Sequence, residues 1–395
     1  MKVAIIVPGG VDPGREHRVI PCLVWLIERL ARVHDVHVFV AGQQPHPARY
    51  SLGDAMVHNS RSRLGRVGML ARLLAEHRRG AFDLLHAFWV HPPGVVAAAA
   101  ARLTGVPMVL HVNGGDLANL PEIDYGLIRS RRGRGWLRWV SGSARIVTTP
   151  SLFMRRRARE LGIEPRLLHM GVSLDDWPVG PPRERVTGSK PRLLHVASLN
   201  RVKDQETLLR ALGRIVESGW DATLDVAGVD TLGGHVQRRC RELGLSGRVR
   251  FHGFLPHREL RPLVEQSDLL LMTSRHEADP IVLLECAVAG VPAVTTAVGH
   301  AADWAPDAAR VAGPGDDAGL ARQVQILLES EPERLAVARA AQRRALEHDA
   351  DQTVRRVLEL YEVLVRPPDH GMPSSAEPAA DRLKRSGTST GGGGV

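Results

Sequence analysis

The chain has 395 residues, a length that predicts two domains at about 100–200 residues per domain. Hydrophobic residues make up 44% of it and charged residues 24%, which is ordinary globular composition and allows a core of normal size. The three cysteines are odd in number and widely spaced. They form neither a disulfide framework nor a CxxC metal motif, and they fit a reducing cytoplasm.

The net charge of +9 comes from the first half of the chain. Residues 1–180 carry 24 Lys and Arg against 14 Asp and Glu, whereas residues 181–395 carry 28 against 29. A basic half indicates an anionic partner such as nucleic acid, a phosphorylated substrate or a membrane surface. Arginine enrichment from a GC-rich genome explains it equally well. Aromatic residues are only 4% and do not interleave with the basic runs, so we expect no nucleic-acid partner.

Two apolar stretches bear on membrane association. The start, "MKVAIIVPGG", is broken by Pro8 and two glycines, too early for a signal peptide, and it predicts a first strand. The most apolar helical stretch, "GVVAAAAARL" at 94–103, is far below the about 20 residues that span a bilayer. We therefore expect a cytoplasmic protein with no membrane span, which can still lie on the inner face of a membrane.

The first half alternates β-rich apolar runs with amphipathic stretches, a pattern that predicts parallel sheets with helical crossovers. Helical patterns cover 16–33, 64–78 and an Ala-rich stretch. The predicted strands are 2–8, 35–41, 82–88, 106–112 and 144–151.

The alternation restarts after "PVGPPRERVTGSKP" (178–191), which is rich in Pro, Gly and charge and reads as a linker. Strands are predicted at 192–198, 222–228, 249–254, 268–274 and 292–298, and helices at 317–328, 331–347 and 350–365. The expected fold is therefore α/β, with two Rossmann-like doubly wound domains facing across a cleft. The predicted divisions are an acceptor-side domain at 1–177, the linker, a second domain at 192–350, a closing helix at 351–366 and a disordered tail at 367–395.

The stretch "SRHEADPIVLLECAVAGVP" (274–292) places two glutamates, Glu277 and Glu285, around a predicted helix start. Asp279 suits an N-cap and Pro280 the first helical position, so the helix should run from Ile281 to about Ala289. Helix N-termini at the ends of strands present free N–H groups and bind anions, here through the amides of Ile281 and Val282.

This spacing fits a ligand with a diol, a diphosphate and a sugar. Glu285 lies about one turn into the helix, where it can accept hydrogen bonds from a ribose, and Glu277 lies in the loop near sugar hydroxyls. Lys203, after the strand "RLLHVAS", is a candidate for the cation that a phosphate needs. A glutamate pair eight residues apart also occurs by chance, with Asp279 only a cap and Glu285 on a solvated face.

"EADPIVLLECAVAGVPAVTT" resembles the E-x7-E signature of glycosyltransferase family 4, the retaining, nucleotide-sugar-dependent enzymes of the GT-B fold. Further segments resemble the family in order and spacing over about residues 1–366. They are the donor diphosphate loop "LLHVASLNRVKDQETLLRAL", the nucleobase segment "VRFHGFLPHRELRPLVEQSDLLLMTSRHE", the glycine loop "VPGGVDPGREHRVI" and the loop "VLHVNGGDL" near the reacting sugar.

The resemblance implies roles for residues at matching positions. Lys203 would bind the donor diphosphate, Glu277 the sugar hydroxyls and Glu285 the ribose, with the Ile281 and Val282 amides facing phosphate or sugar. The remaining implied donor contacts are Phe254 and Leu255 near the base, and Gly9 and Gly10 where the backbone approaches the donor.

The chain departs from the family pattern at two positions. Ser198 precedes Leu199 where the family often has an arginine, and Arg201 is a candidate substitute. Asn113, in "NGGD", stands where the family has a histidine. His111 could compensate, or Asn113 could act as a hydrogen-bond donor; otherwise His111 is a strand histidine with its partners in the core.

The implied reaction is transfer of a glycosyl group with retained anomeric configuration, from a nucleotide-sugar co-substrate to a glycan or lipid-linked acceptor. Positioning and stabilisation of the leaving diphosphate would supply catalysis. No cofactor or metal is expected, because the sole D-x-D lies at Asp349–Asp351 in the C-terminal helices. A nucleotide-sugar epimerase and a donor-binding scaffold without turnover remain alternatives.

Two basic stretches, "RSRRGRGWLRW" (129–139) and "MRRRARE" (154–160), lie in the acceptor-side domain. Trp136 and Trp139 stand three residues apart among the arginines. This pattern predicts either peripheral contact with an anionic membrane or a solvated arginine face whose tryptophans pack inward.

Overall fold

The computed structural model describes residues 1–14, 18–60, 65–186 and 188–365. The predicted disordered tail at 367–395 and one residue of the predicted linker lie outside the described residues. Within the described part, the chain forms two α/β halves, each built on one largely parallel sheet. The predicted fold class, two Rossmann-like α/β units, is confirmed.

The first sheet has eight strands in the spatial order β3-β4-β2-β1-β5-β6-β7-β8. All neighbours pair in parallel except β3 and β4, which form an antiparallel hairpin at the edge. This hairpin was not predicted, although Gly53 with a positive φ of 56° closes it in the manner of tight hairpin turns. The strands are β1 (Lys2–Ile6), β2 (Asp35–Ala41), β3 (Ala48–Leu52), β4 (Ala55–Ser60), β5 (Leu84–Phe88), β6 (Met108–His111), β7 (Ile146–Thr149) and β8 (Arg166–Leu167).

The second sheet has six parallel strands in the order β11-β10-β9-β12-β13-β14. Five of them match the predicted strands, and β14 was missed because three residues of mixed character carry too short a pattern. The strands are β9 (Arg192–Val196), β10 (Thr223–Ala227), β11 (Val249–Gly253), β12 (Leu269–Met272), β13 (Ala293–Thr296) and β14 (Arg310–Ala312).

Thirteen α-helices in the described residues cover the two sheets. Short 3-10 turns at Gly114–Leu117, Pro121–Ile123 and Leu127–Arg129 connect β6 to the next helix. The α-helices are α1 (Pro21–Ala31), α2 (Gly65–Arg79), α3 (Val95–Thr104), α4 (Arg131–Ser143), α5 (Leu152–Glu160), α6 (Gln205–Glu217), α7 (His235–Glu242), α8 (His257–Glu265), α9 (Ile281–Val288), α10 (Gly299–Trp304), α11 (Asp317–Glu329), α12 (Glu331–Glu347) and α13 (Ala350–Val365).

The last helix, α13, returns from the second half to the first. Its buried residues Val357 and Tyr361 join the core formed by β1, β2 and α1. The Tyr361 hydroxyl lies 2.8 Å from His86 Nδ1 in the buried strand β5. Full burial of an apolar side chain of this size contributes about 2 kcal/mol, so α13 fixes the two halves to each other.

Contacts between the halves close the base of the cleft. The amide of Phe153 in α5 donates to Asp303 of α10 at 3.1 Å, and Trp177 Nε1, at the end of the first half, donates to His257 of α8 at 2.8 Å. The carboxyl ends of both sheets face each other above this base, which is where parallel α/β sheets bind ligands. Among the described residues, no helix combines the length and the apolarity that a membrane crossing requires.

Candidate active site

The loop after β9 and the loop after β12 bring Lys203 and Glu277 together. Lys203 Nζ donates to Glu277 Oε1 at 2.5 Å, and Ser274 Oγ donates to the same oxygen at 2.6 Å. Thr273 Oγ1 lies 2.9 Å from the Lys203 carbonyl oxygen and so ties the two loops to each other. An ammonium group has three N–H donors, so Lys203 can contact an anion while it holds Glu277.

A cavity of about 570 Å³ adjoins this loop on the side of β10 and β11. Ser198, Gly228 and the predicted base contacts Phe254 and Leu255 all line it, and Phe254 is 46% exposed. From the first half, Arg18 closes the cavity, and its guanidinium donates to the carbonyl oxygen of Gly42 at 2.6 Å. The cavity has the size of a nucleotide-type ligand site and a cation at its rim.

The predicted glycines shape the first-half wall of this cavity without lining it. Gly9 and Gly10 have φ values of 154° and 82°, which favour glycine. Gln43 Oε1 accepts from the Gly10 amide at 2.9 Å, and a Cβ on Gly10 would meet the Ile20 side chain at 2.4 Å. These glycines therefore set the backbone path of the loop that leads to Arg18, and their approach to a donor stays a prediction.

Glu285 is only 2% exposed and contacts His257 rather than the open cleft. Trp177 Nε1 donates to His257 Nε2 at 2.8 Å, and Glu285 Oε1 lies 2.6 Å from the same nitrogen. A ring nitrogen either accepts a hydrogen bond or donates one, so it cannot satisfy Trp177 and an ionised Glu285 at the same time. The carboxylate therefore has capacity for a further donor.

The start of α9 differs from the prediction. Pro280 is the N-cap residue and Ile281 the first helical residue, and no side chain caps the helix. Asp279, expected to cap it, instead accepts from the Met170 amide at 3.2 Å and lies 2.5 Å from His300 Nδ1. The prediction was wrong because the charge of a buried histidine outcompetes the helix amides for this carboxylate.

Because Asp279 bonds to Met170 and His300, the N-terminus of α9 has no side-chain cap. The first helical N–H groups, those of Ile281 and Val282, have no intrahelical acceptor. They lie where the loop after β12 enters the helix, four and five residues beyond Glu277.

Burial alone would raise the pKa of Asp279, but the neighbouring His300 outweighs this effect and the pKa is lowered.

His111 at the end of β6 and Asn113 in the loop that follows have different surroundings. His111 is fully buried in the strand, with Nδ1 2.9 Å from Thr148 Oγ1, and burial lowers its pKa to about 4. It is therefore neutral at physiological pH, and its side chain is buried in the core of the first half and not exposed to the cleft. Asn113 uses its side-chain oxygen to accept from the Gly114 amide at 2.7 Å, where it caps the 3-10 turn.

His276 is a contact that the sequence analysis missed. Its Nε2 donates to the Gly114 carbonyl oxygen of the other half at 2.8 Å, and it is 9% exposed. It follows Arg275 and precedes Glu277, so one short loop joins the two halves and carries the candidate donor contacts. No local pattern indicates such a bond, because its partner lies 162 positions away.

Arg201 does not reach the cavity that Ser198 lines. It lies in a separate cavity with Arg238 and Arg275, on the other side of the Lys203 loop. Arg201 therefore does not stand beside Ser198, where the family often has an arginine. The cation in the lining of that cavity is Arg18 of the first half.

The two halves match two family models. Residues 23–176 match the model described as Glycosyltransferase Family 4, and residues 181–344 match the model described as Glycosyl transferases group 1. The chain belongs to the group 1 glycosyltransferases of family 4.

Relatives and solved structures agree with this assignment. Glycogen synthase of Mycobacterium tuberculosis is 28% identical over 357 residues, which cover 88% of this chain and 82% of that protein. Sucrose-phosphate synthase from Thermosynechococcus elongatus has a TM-score of 0.78 at 16% identity, covering 92% of this chain and 99% of that one. Anabaena HepE in complex with UDP-glucose has a TM-score of 0.71 at 19% identity, covering 92% and 100%. The fold is GT-B, and the protein is a nucleotide-sugar-dependent transferase.

In this glycosyltransferase the NGGD loop contains a buried acid, Asp116. Its Oδ2 accepts from the amides of Val90 at 3.0 Å and Asn113 at 3.1 Å. Burial raises the pKa of Asp116 from 3.8 to about 7, although the two amides oppose the rise. A raised folded-state pKa means that stability is complete below the unfolded value and is lost as pH rises from about 4 to about 7.

Asp116→Asn is therefore expected to increase the free energy of unfolding relative to wild type at about pH 8.5 and to change it little at about pH 5, because the amide keeps an acceptor without the charge. Urea unfolding at both pH values measures this difference. Asp307→Asn, at an exposed acid, is the control and should give equal effects at both pH values. An Asp116→Asn effect that does not grow with pH would contradict the prediction.

The basic helix α4 exposes much of its arginine face. Arg66 and Arg132 lie over the Trp136 ring at 5.5 and 5.9 Å, and Trp139 is 36% exposed. The tryptophans are thus neither fully packed inward nor free of arginine contact. Peripheral contact with an anionic membrane stays a prediction, which co-sedimentation with phosphatidylglycerol vesicles tests.

Among the described residues, one group of metal-ligating side chains is close enough to share an ion: His37, His58 and Glu76. It lies under α2, away from the cleft. Glu76 already pairs with Arg49 and Arg79, and burial, together with nearby cations, lowers the pKa of His58 to about 3. Positive charge around the group opposes a further cation.

Proposed function

We propose that this glycosyltransferase moves a sugar, with retained anomeric configuration, from a nucleotide-sugar donor to a glycan or lipid-linked acceptor. The pathway would be polysaccharide, cell-envelope or glycolipid biosynthesis. The observation that carries the proposal is the Lys203–Glu277 pair at the carboxyl ends of β9 and β12, beside the cavity that Phe254 lines. Such a site offers one cation and one carboxylate to a ligand that contains a diphosphate and a sugar.

The two groups of the pair would act on different parts of the donor. Breaking the bond between sugar and diphosphate leaves negative charge on the phosphate oxygens, and the Lys203 ammonium can stabilise it. The free amides at the start of α9 would add further donors to the same charge. Glu277, held by Ser274, would accept from sugar hydroxyls and fix the ring for attack by the acceptor.

The nucleoside would occupy the cavity of about 570 Å³. Its ribose would reach Glu285, whose carboxylate lacks a donor whenever His257 accepts from Trp177. A ribose hydroxyl would supply that donor and relieve the conflict over His257 Nε2. HepE, which shares the fold, is described in complex with UDP and with UDP-glucose, which supports testing uridine donors first.

No metal or other cofactor is part of the proposal. The role of a divalent ion at a departing diphosphate is to neutralise charge, and Lys203 is placed to do this. This expectation is tested in the turnover assay below by comparing activity with excess Mg²⁺ and with excess EDTA. A requirement for the ion would contradict it.

A thermal-shift screen of UDP-, GDP-, ADP- and dTDP-sugars tests donor binding. We expect one nucleotide to raise the melting temperature by several degrees, because a ligand that binds only the native state stabilises it. Glu285→Gln should abolish the shift. Glu242→Gln, at an exposed position on α7, should preserve it. No shift with any nucleotide would overturn the proposal.

The products then separate the remaining alternatives. A transferase releases free nucleoside diphosphate when sugar leaves the donor. An epimerase converts the sugar with the nucleotide still attached, and a scaffold binds the donor without changing it. Chromatography of the nucleotide products over a panel of acceptors therefore distinguishes the three outcomes.

A further inference from the structure

A second cavity, of about 400 Å³, adjoins the Lys203 loop on the side opposite the cavity that Phe254 lines. The contacts of neighbouring residues define the two sides. Glu277 contacts Lys203, which does not line this cavity, whereas Arg275 forms an ion pair at 3.1 Å with Asp204, which does. We call this cavity the arginine cavity, after Arg201, Arg238 and Arg275 in its wall.

The arginine cavity has more positive charge than its own acids neutralise. Asp204 is held by Arg275. Glu206, the other acid in the wall, pairs with Arg210 at 3.2 Å and Arg239 at 2.8 Å, and neither of these arginines lines the cavity. The charges of Arg201 and Arg238 are therefore left without a carboxylate partner in the wall.

The guanidinium groups of the two arginines have donors to offer a ligand. Arg238 directs one N–H to the Gly233 carbonyl oxygen at 2.9 Å, which fixes the side chain and leaves other N–H groups of the five. Arg201 is exposed and makes no hydrogen bond or ion pair with any residue that the structure describes. His235, at the start of α7, adds a ring N–H donor to the same wall.

We propose that the arginine cavity binds the phosphate group of a phosphorylated acceptor. Guanidinium forks match phosphate oxygens in pairs, which makes a phosphate a better fit than a neutral sugar. One wall is Ile123 of the first half, so the cavity opens between the two halves, where an acceptor must enter. The acceptor assignment rests on the proposed transferase function, whereas anion binding in the cavity does not.

The first test is isothermal titration of inorganic phosphate at constant ionic strength, into protein saturated with the nucleoside diphosphate that the donor screen identifies. Saturation keeps phosphate out of the Lys203 site. Arg201→Gln/Arg238→Gln is expected to weaken phosphate binding at least about tenfold, since two charge-assisted contacts are lost. Arg241→Gln/Arg322→Gln removes the same charge at exposed positions outside the cavity and should leave the affinity unchanged.

Three outcomes would overturn the proposal. They are the absence of phosphate binding, equally weakened phosphate binding in both double variants, and phosphate binding that is weakened by Lys203→Met but not by Arg201→Gln/Arg238→Gln. The second test compares glucose 6-phosphate with glucose as acceptors. The Arg201→Gln/Arg238→Gln variant should raise the KM for the phosphorylated probe at least about fivefold, and donor affinity should not change. Equal KM changes for both probes would also overturn it. If donor binding is found and phosphate binding is not, this inference fails and the proposed function stands.

Discussion

Replacing Lys203 with methionine is expected to lower kcat by about 100- to 1,000-fold, the usual cost of removing one group that stabilises transition-state charge. Methionine keeps most of the length of the side chain and removes only its positive charge. The structure places that charge 2.5 Å from Glu277, at the end of β9 where the diphosphate is proposed to leave. Steady-state kinetics with saturating donor and acceptor measure the change.

A second variant separates catalysis from stability. Lys203→Met alone leaves Glu277, which is 9% exposed, with Ser274 but no cation as a hydrogen-bond partner among the described residues, and this should destabilise the protein as well. Lys203→Met/Glu277→Gln removes both charges, so we expect it to recover melting temperature and not activity. Recovery of kcat in the double variant, or a loss below about tenfold in the single one, would show that Lys203 does not act on the leaving group.

Gly228→Ala is expected to lower the free energy of unfolding by about 3–5 kcal/mol. Gly228 has a φ of 153°, and a Cβ there would lie 1.9 Å from the Ala197 carbonyl oxygen. Both groups are backbone at the ends of adjacent strands, β9 and β10, so neither can rotate away. Since Gly228 and Ser198 line the same cavity, donor affinity should fall too.

Gly219→Ala is the matched control for this substitution. Gly219 also has a positive φ, 98°, but its Cβ would meet nothing within 4 Å. Its cost should therefore be the conformational one alone, about 1 kcal/mol. Urea unfolding of both variants gives the comparison. Equal losses would mean that the contact between the new Cβ and the Ala197 carbonyl oxygen adds no cost beyond the φ preference, which would contradict the prediction.

The periodic parts of the chain were predictable because their pattern is local. The strand at 35–41 and the helices at 317–328, 331–347 and 350–365 agree with the structure to within one residue. Long amphipathic helices and buried strands repeat their apolar side chains at fixed spacing, and this spacing can be recognised from the sequence alone. Short edge strands carry too few repeats, which is why β3, β8 and β14 were missed. The inner strand β4 was missed because its second half, residues 58–60, is polar.

The candidate site was predictable where one short motif carries it. The position of α9 and of Glu277 before it followed from the E-x7-E stretch, and the position of Lys203 from its loop after β9. Their roles in binding stay predictions. Resemblance located these positions because a motif fixes the backbone path between its residues.

The partners of the site residues were decided by tertiary structure. Glu285 meets His257 from α8, Asp279 meets His300 from α10, and Arg201 turns away from Ser198. Glu285 and Asp279 each find their partner on a different helix, whereas Arg201 has no hydrogen-bond or ion-pair partner among the described residues. The sequence by itself determined which groups enter the cleft region, whereas packing of the two halves determined which of them touch, because hydrogen bonds form between neighbours in space.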